Sequence, residues 1–195
     1  MGRSKHLEEV KRLFEKSPVV EADSILRLIN SKKKVGQYSK QLIRYLILKG
    51  KIKKLAKGCY TIHNEISLAA FCFKPSYLGL QDALSIHNLW EQETIPVIIT
   101  TRKARPGIRK IMGANALIRR IDKRYFFGFE YMDCGGFYIP VSDVEKTFID
   151  MVYFNEKLDE QLLSGIRREI NKKTLENYLK KYPQRFREKI RKITN

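Results

Sequence analysis

Residues 37–62, QYSKQLIRYLILKGKIKKLAKGCYTI, constrain the fold more than any other stretch of the chain. Apolar residues recur at helical spacing through Leu42, Ile43, Leu46 and Ile47, and Gly50 supplies a helix stop. Two short strand-like runs follow, Lys51–Leu55 and Cys59–Ile62, joined by Ala56-Lys57-Gly58, where glycine tolerates a positive φ. Helix, glycine and basic hairpin in that order predict the second half of a winged helix-turn-helix. Such a unit lays one helix in the major groove of DNA and a charged wing on the flanking phosphates.

At 100° per residue, Leu42, Ile43, Leu46 and Ile47 share the inward side of this helix, and Lys40, Gln41, Arg44, Tyr45 and Leu48 the outward side. Ser39 is the expected N-cap. Arg pairs bidentately with guanine and Gln with adenine, and Tyr45 could bond a phosphate or pack on sugar. The predicted DNA-binding set is therefore Ser39, Lys40, Gln41, Arg44 and Tyr45 on the helix, with Lys51, Lys53, Lys54 and Lys57 on the wing. Read alone, the helix positions are ordinary solvated sites of an amphipathic helix; the adjoining wing favours DNA.

Two shorter helices are expected upstream. One runs from about Lys5 to Glu15, carrying Leu7, Val10, Leu13 and Phe14, and is ended by Ser17-Pro18. The other spans Ala22–Ile29, and a polar loop follows over Asn30–Gly36. Charge agrees with a polyanionic partner. The chain of 195 residues carries a formal net charge of +18. Residues 1–63 hold 16 Lys+Arg against 5 Asp+Glu, more than half of that excess. Counterion release from phosphates rewards such a surface, although a ribosome-associated protein would share it.

Residues 64–195 predict a mixed α+β domain with a small sheet and C-terminal helices, so the fold class is α+β, with domains at 1–63 and 64–195. Expected helices are Glu65–Phe73, Gln81–His87, Ser142–Phe154 with Ser142 as cap, Asp159–Asn171, Thr174–Tyr182 and Gln184–Ile193. Expected strands are Pro96–Thr101, Ala116–Ile121, Phe126–Met132 and Phe137–Ile139, with a Gly135-Gly136 turn. Arg102, Lys103, Arg105, Arg109 and Lys110 crowd a Pro-Gly loop expected to be mobile, the best candidate for a second nucleic-acid site. Two further basic groups read first as solvated surface, with long stems lying over the core. They are Arg119, Arg120, Lys123 and Arg124, and the cations of the last helix.

Enzyme chemistry finds little support. No Gly-Ser dipeptide opens a nucleotidyltransferase pattern, and the one Glu-x-Lys, Glu9-Val10-Lys11, sits on a surface helix. His6, His63 and His87 lack partners at zinc spacing, and no phosphate-cradling glycine loop occurs. No catalytic residue, metal or cofactor is expected, and His87 on its apolar helix reads as a core or capping residue. The longest apolar run, ISLAAFCF, is too short to span a membrane, and the N-terminus lacks a secretory h-region. Cys59, Cys72 and Cys134 are scattered, as in a cytoplasmic protein without disulfides.

Four ordered segments carry a resemblance. KGCYTI at 57–62 has a basic-Gly-x-Tyr wing. SYLGLQDALSIHNL at 76–89 follows a Tyr-Leu-Gly…Ala-Leu-x-x-His-Gly-Leu pattern with Asn88 in place of Gly. Val97–Thr101 is a strand ending in Thr and followed by the basic Arg102. PVSDVEKTFID at 140–150 follows a Ser-x-Pro-Glu-Lys-Thr-x-x-Asp pattern with Val144 in place of Pro. Together they resemble the AbiEi-like abortive-infection antitoxins of type IV toxin–antitoxin systems. The resemblance implies a regulator whose winged helix binds operator DNA and represses its own operon. It implies that the second domain counters a nucleotidyltransferase-like toxin without a stable complex. A stand-alone regulator, an RNA- or ribosome-associated protein and a protein-interaction module remain alternatives, and the oligomeric state stays open.

Overall fold

A computed structural model describes residues 2–29 and 36–194, with the backbone alone at 2–5, 36 and 37. It is a mixed α+β protein of two compact units. One holds residues up to Cys72 together with Lys110–Ala114, the other Phe73–Arg109 together with residues from 115 onward.

In the first unit α1 (Gly2–Lys16) is followed by a two-residue strand β1 (Val20–Glu21), α2 (Ala22–Ile29), α3 (Gly36–Leu48) and a hairpin of β2 (Lys53–Ala56) and β3 (Cys59–Thr61). The sheet order is β1-β3-β2, antiparallel throughout, with Val20 opposite Tyr60. The two-residue strand is too short to carry a periodicity of its own and is not among the expected strands. The Thr61 hydroxyl donates to Pro18 O at 2.7 Å and so ties the third strand to the α1–β1 turn. Val10, Phe14, Val20, Ile25, Ile29, Leu42, Ile43, Leu46 and Ile52 form the core. Burying each such side chain stabilises by about 1.5–3 kcal/mol.

Three local expectations are corrected here. The helix starts at Gly36, so Ser39 lies inside it and is buried rather than capping it. Ile47, at the margin of the apolar stripe in the last turn, is exposed. Lys51 precedes the strand, because Lys51 N–H and Ile52 N–H both return to Leu46 O and close the helix end. The polar loop expected over 30–36 lies outside the described residues except for Gly36.

A 3-10 helix (Ile66–Phe73), in place of the expected α-helix, carries the chain to the end of the first unit at Cys72. Next come β4 (Ser76–Leu78), α4 (Leu80–Ile86) and β5 (Val97–Thr100), then β6 (Gly107–Ile111), β7 (Ala114–Arg120), β8 (Phe129–Asp133) and β9 (Tyr138–Ser142). Four helices close the chain: α5 (Val144–Tyr153), α6 (Glu160–Glu169), α7 (Lys172–Leu179) and α8 (Gln184–Thr194). The six-stranded sheet runs β6-β7-β5-β4-β9-β8. Pairs β4–β5 and β8–β9 are antiparallel, whereas β5–β7 and β4–β9 are parallel. Helices α4 to α8 pack their apolar faces with Tyr77, Val97, Ile99 and Tyr125 in one core.

The basic loop expected over 102–110 is a strand from Gly107 on, at the edge of the sheet. The strand expected from Phe126 begins at Phe129, after a 3-10 turn at Lys123–Tyr125 and a left-handed Gly128 (φ 70°). Ser142 ends β9 instead of capping α5. The cap is Asp143, whose carboxylate accepts Lys146 N–H at 2.7 Å, because the Ser142 hydroxyl is buried and held by Leu78 O and Thr147.

Two departures from the resembled pattern gain a physical account. Asn88 stands where the pattern has Gly, and it adopts φ 58°, the left-handed region that Asn tolerates best after Gly. Val144 stands where the pattern has Pro, and it is the first residue of α5, the helical position where Pro is favoured.

Candidate nucleic-acid interface

The outward face of α3 is built as its spacing requires. Leu42, Ile43 and Leu46 are buried, and Lys40, Gln41, Arg44 and Tyr45 are exposed, with Tyr45 at 49% and Leu48 at 76%. Gln41 and Tyr45 also line a cleft of about 160 Å3 with Leu7, Tyr38 and Leu42. Ser39 takes no part, being fully buried.

Gly50 at φ 64° ends α3, and Gly58 at φ 78° turns the hairpin. Gly58 O accepts Ala22 N–H at 2.8 Å, so the hairpin turn is fastened to the start of α2. Lys54 sits on β2 opposite Tyr60 and is exposed, as are Lys57 in the turn and Lys51 before the strand. Lys53 differs from them. It is half-buried, and its ammonium donates to the side-chain carbonyl of Asn64. Burial pushes the Tyr60 hydroxyl above the usual phenol range, so it stays a neutral donor beside Lys54.

The group expected over 102–110 divides. Arg102, Lys103 and Arg105 are exposed. Arg109 is half-buried, with its guanidinium 5.4 Å from the Phe73 ring centroid and donating to Arg105 O at 2.9 Å. Lys110 is exposed and falls in the first unit.

The structure also assembles a buried polar network that the spacing of residues left unrecognised. Lys146 and Asp150, one turn apart on α5, are both 0% exposed and form an ion pair. The Tyr77 hydroxyl donates to the other oxygen of Asp150 at 2.7 Å. The Lys146 ammonium also reaches the Tyr182 hydroxyl at 3.5 Å and lies 5.2 Å from the Phe127 ring centroid. Burial pushes the Lys146 ammonium down and the Asp150 carboxyl up, while their mutual attraction opposes both shifts. The phenols of Tyr77 and Tyr182 are held above their ordinary range, chiefly by burial.

Around this pair every polar group of the 140–150 segment has a structural partner. The Tyr178 hydroxyl donates to Asp143 at 2.6 Å. Asn171 N–H donates to Glu145 at 2.6 Å. His87 Nε2 lies 2.7 Å from the Ser142 carbonyl, to which it donates. The i, i+4 spacing of Lys146 and Asp150 was visible in the sequence, but equally spaced pairs usually face solvent. Among the described residues no group of three or more His, Cys, Asp or Glu could hold a metal ion, and no helix is long and apolar enough to cross a membrane.

Comparison with known proteins adds the fold alone. No protein-family model matches the chain, and no curated protein matches it in sequence. A solved structure similar to it is the crystal structure of the RV2827C protein from Mycobacterium tuberculosis. The two share 12% sequence identity with a TM-score of 0.62, over 92% of this chain and 72% of that one.

Proposed function

We propose that the first unit is a winged helix-turn-helix that binds duplex DNA, and that the protein is a transcriptional regulator of the antitoxin type. One observation carries the reading. The exposed basic face of α3 (Lys40, Gln41, Arg44) is followed directly by a hairpin with exposed Lys54 and Lys57, in a unit ordered α1-β1-α2-α3-β2-β3 with sheet order β1-β3-β2. In that role α3 reads base edges and the hairpin grips phosphates. Repression of its own operon, and neutralisation of a nucleotidyltransferase-like toxin by the second unit, rest on the resemblance of the four segments.

The test is fluorescence anisotropy with the duplex upstream of the protein's own gene, over a salt series, with duplex RNA as competitor. Binding to that duplex over scrambled DNA, with Arg44→Ala reducing the preference, supports the reading. Competition by RNA equal to that of DNA sinks it in favour of an RNA-associated protein. Co-expression with a nucleotidyltransferase-like neighbour tests the antitoxin part, and unrelieved toxicity counts against it.

A further inference from the structure

The parallel pairing of β5 with β7 brings together two basic groups that lie apart in the sequence. Thr100, the last residue of β5, is in register with Arg120, the last of β7. Ile121 N–H donates to Thr100 O at 3.0 Å, so the two strands leave the sheet side by side. Neighbouring strands lie about 4.8 Å apart. Arg102, Lys103 and Arg105 therefore follow one strand where Lys123 and Arg124 follow its neighbour, with Arg120 between. All six are exposed.

One carboxylate lies among them. Asp122 is engaged by Arg124 and by Arg124 N–H at 2.9 Å. Among the described residues, Lys103, Arg105, Arg120 and Lys123 make no ion pair. Arg109 reaches this end only through its half-buried guanidinium, which donates to Arg105 O at 2.9 Å, and Lys110 falls in the first unit. The Arg109 guanidinium is also engaged over the Phe73 ring, so neither residue adds a free cation to this end.

We propose that this end of the sheet is a second nucleic-acid surface, which contacts the phosphate backbone of duplex DNA without reading bases. The proposal rests on the winged-helix reading in taking DNA as the polyanion. Two features select the ligand class. Lys103, Arg105, Arg120 and Lys123, without ion pairs on neighbouring strand ends and with Ile108 the one large exposed apolar side chain within a few residues of them in sequence, suit phosphates better than a protein partner, whose interface would want an aromatic or apolar core. No exposed aromatic side chain lies in the cluster to stack on unpaired bases, so a duplex fits better than a single strand.

The experiment uses the full chain, duplex DNA and a salt series. Lys103→Ala/Arg105→Ala/Lys123→Ala is compared with Arg185→Ala/Lys189→Ala/Lys192→Ala, which removes the same charge from α8. A third protein carries Lys40→Ala/Arg44→Ala on α3. All substituted residues are exposed, and matching thermal melts establish that each variant is folded.

The strand-end variant is expected to lower the slope of log affinity against log salt by about 2–3 and to weaken binding roughly tenfold or more at low salt, with sequence preference unchanged. The α8 variant is expected to keep the wild-type slope. An unchanged slope in the strand-end variant overturns the proposal, as does an equal fall in both charge variants. If the α3 variant binds as wild type while the strand-end variant loses affinity, the winged-helix reading fails and this surface stands. If the α3 variant alone loses binding, the reverse holds. Duplex RNA bound as tightly, with the same dependence on the strand-end residues, overturns the assignment to DNA.

Discussion

The Tyr77 hydroxyl donates to Asp150 across 2.7 Å, joining β4 to α5 over 73 residues of chain. Asp150 holds Lys146 with its other oxygen, so one buried carboxylate is shared between a phenol and an ammonium. A buried charge persists only where its lone pairs and protons are used.

Tyr77→Phe removes one of these bonds and leaves the ring in place. The expected loss is about 1.5–3 kcal/mol, the range for a hydrogen bond to a charged group. Urea denaturation with unchanged m-value checks it. A loss near zero would mean that water replaces the hydroxyl.

Lys146→Met leaves Asp150 buried without its cation and should cost about 3–5 kcal/mol. Lys146→Met/Asp150→Leu should cost much less, since no orphan charge remains. The pH dependence of the single variant has a definite sign. Burial raises the Asp150 carboxyl, and the opposing attraction of Lys146 is gone. Its folded pKa then lies above the unfolded value near 3.9, so stability is greatest below that value and is lost as pH rises through the folded pKa. Relative to wild type, the single variant should regain stability as pH falls from about 7 to about 4. Chemical denaturation across that range reads it out.

Gly128→Ala should be among the more damaging single-methyl changes. Its φ of 70° is strained for any L side chain, and an added Cβ would stand 2.9 Å from Lys146 Cβ and from Tyr178 Cε2. Strain and overpacking together suggest about 2–4 kcal/mol. Gly113→Ala, also left-handed at φ 90° but with nothing within 4 Å, should cost only the strain, about 1 kcal/mol. The difference between the two melting temperatures isolates the contact with Lys146 and Tyr178.

The hairpin lysines should not be equivalent. Lys54 and Lys57 are exposed, whereas Lys53 is engaged by Asn64. If the hairpin grips phosphates, Lys54→Ala and Lys57→Ala each lower the salt slope of DNA binding by about 0.9, and Lys53→Ala changes it less. Anisotropy titrations at several salt concentrations separate them. Equal effects from all three would place Lys53 on the phosphates as well.

Local order was legible where one helix or hairpin decides the outcome. Arithmetic at 100° per residue sorted Lys40, Gln41, Arg44 and Tyr45 from Leu42, Ile43 and Leu46, since side-chain direction on a helix follows from spacing alone. Gly50 and Gly58 marked a helix end and a turn, since both take a positive φ. Ser39 misled because an N-cap and a buried helical serine have the same sequence appearance. The cap of α5 shifted by one residue for a related reason: Ser142 and Asp143 both offer a capping oxygen, and burial of the serine between Leu78 and Thr147 decided for the aspartate.

By itself, then, the sequence determined the helices other than the 3-10 segment at Ile66–Phe73, most strands, the outward face of α3 and the distribution of charge, all set by interactions between residues a few positions apart. Tertiary structure alone decided the pairing of β5 with β7, which gathers Arg102, Lys103 and Arg105 beside Arg120 and Lys123. It alone also decided the burial of Lys146 with Asp150 beneath Tyr77. Parallel strands are joined through distant chain and leave no local signature of their partner. A lysine and an aspartate one turn apart look the same in sequence on a solvated helix and in a core, and only the packing of β4 and the C-terminal helices around α5 separates the two cases.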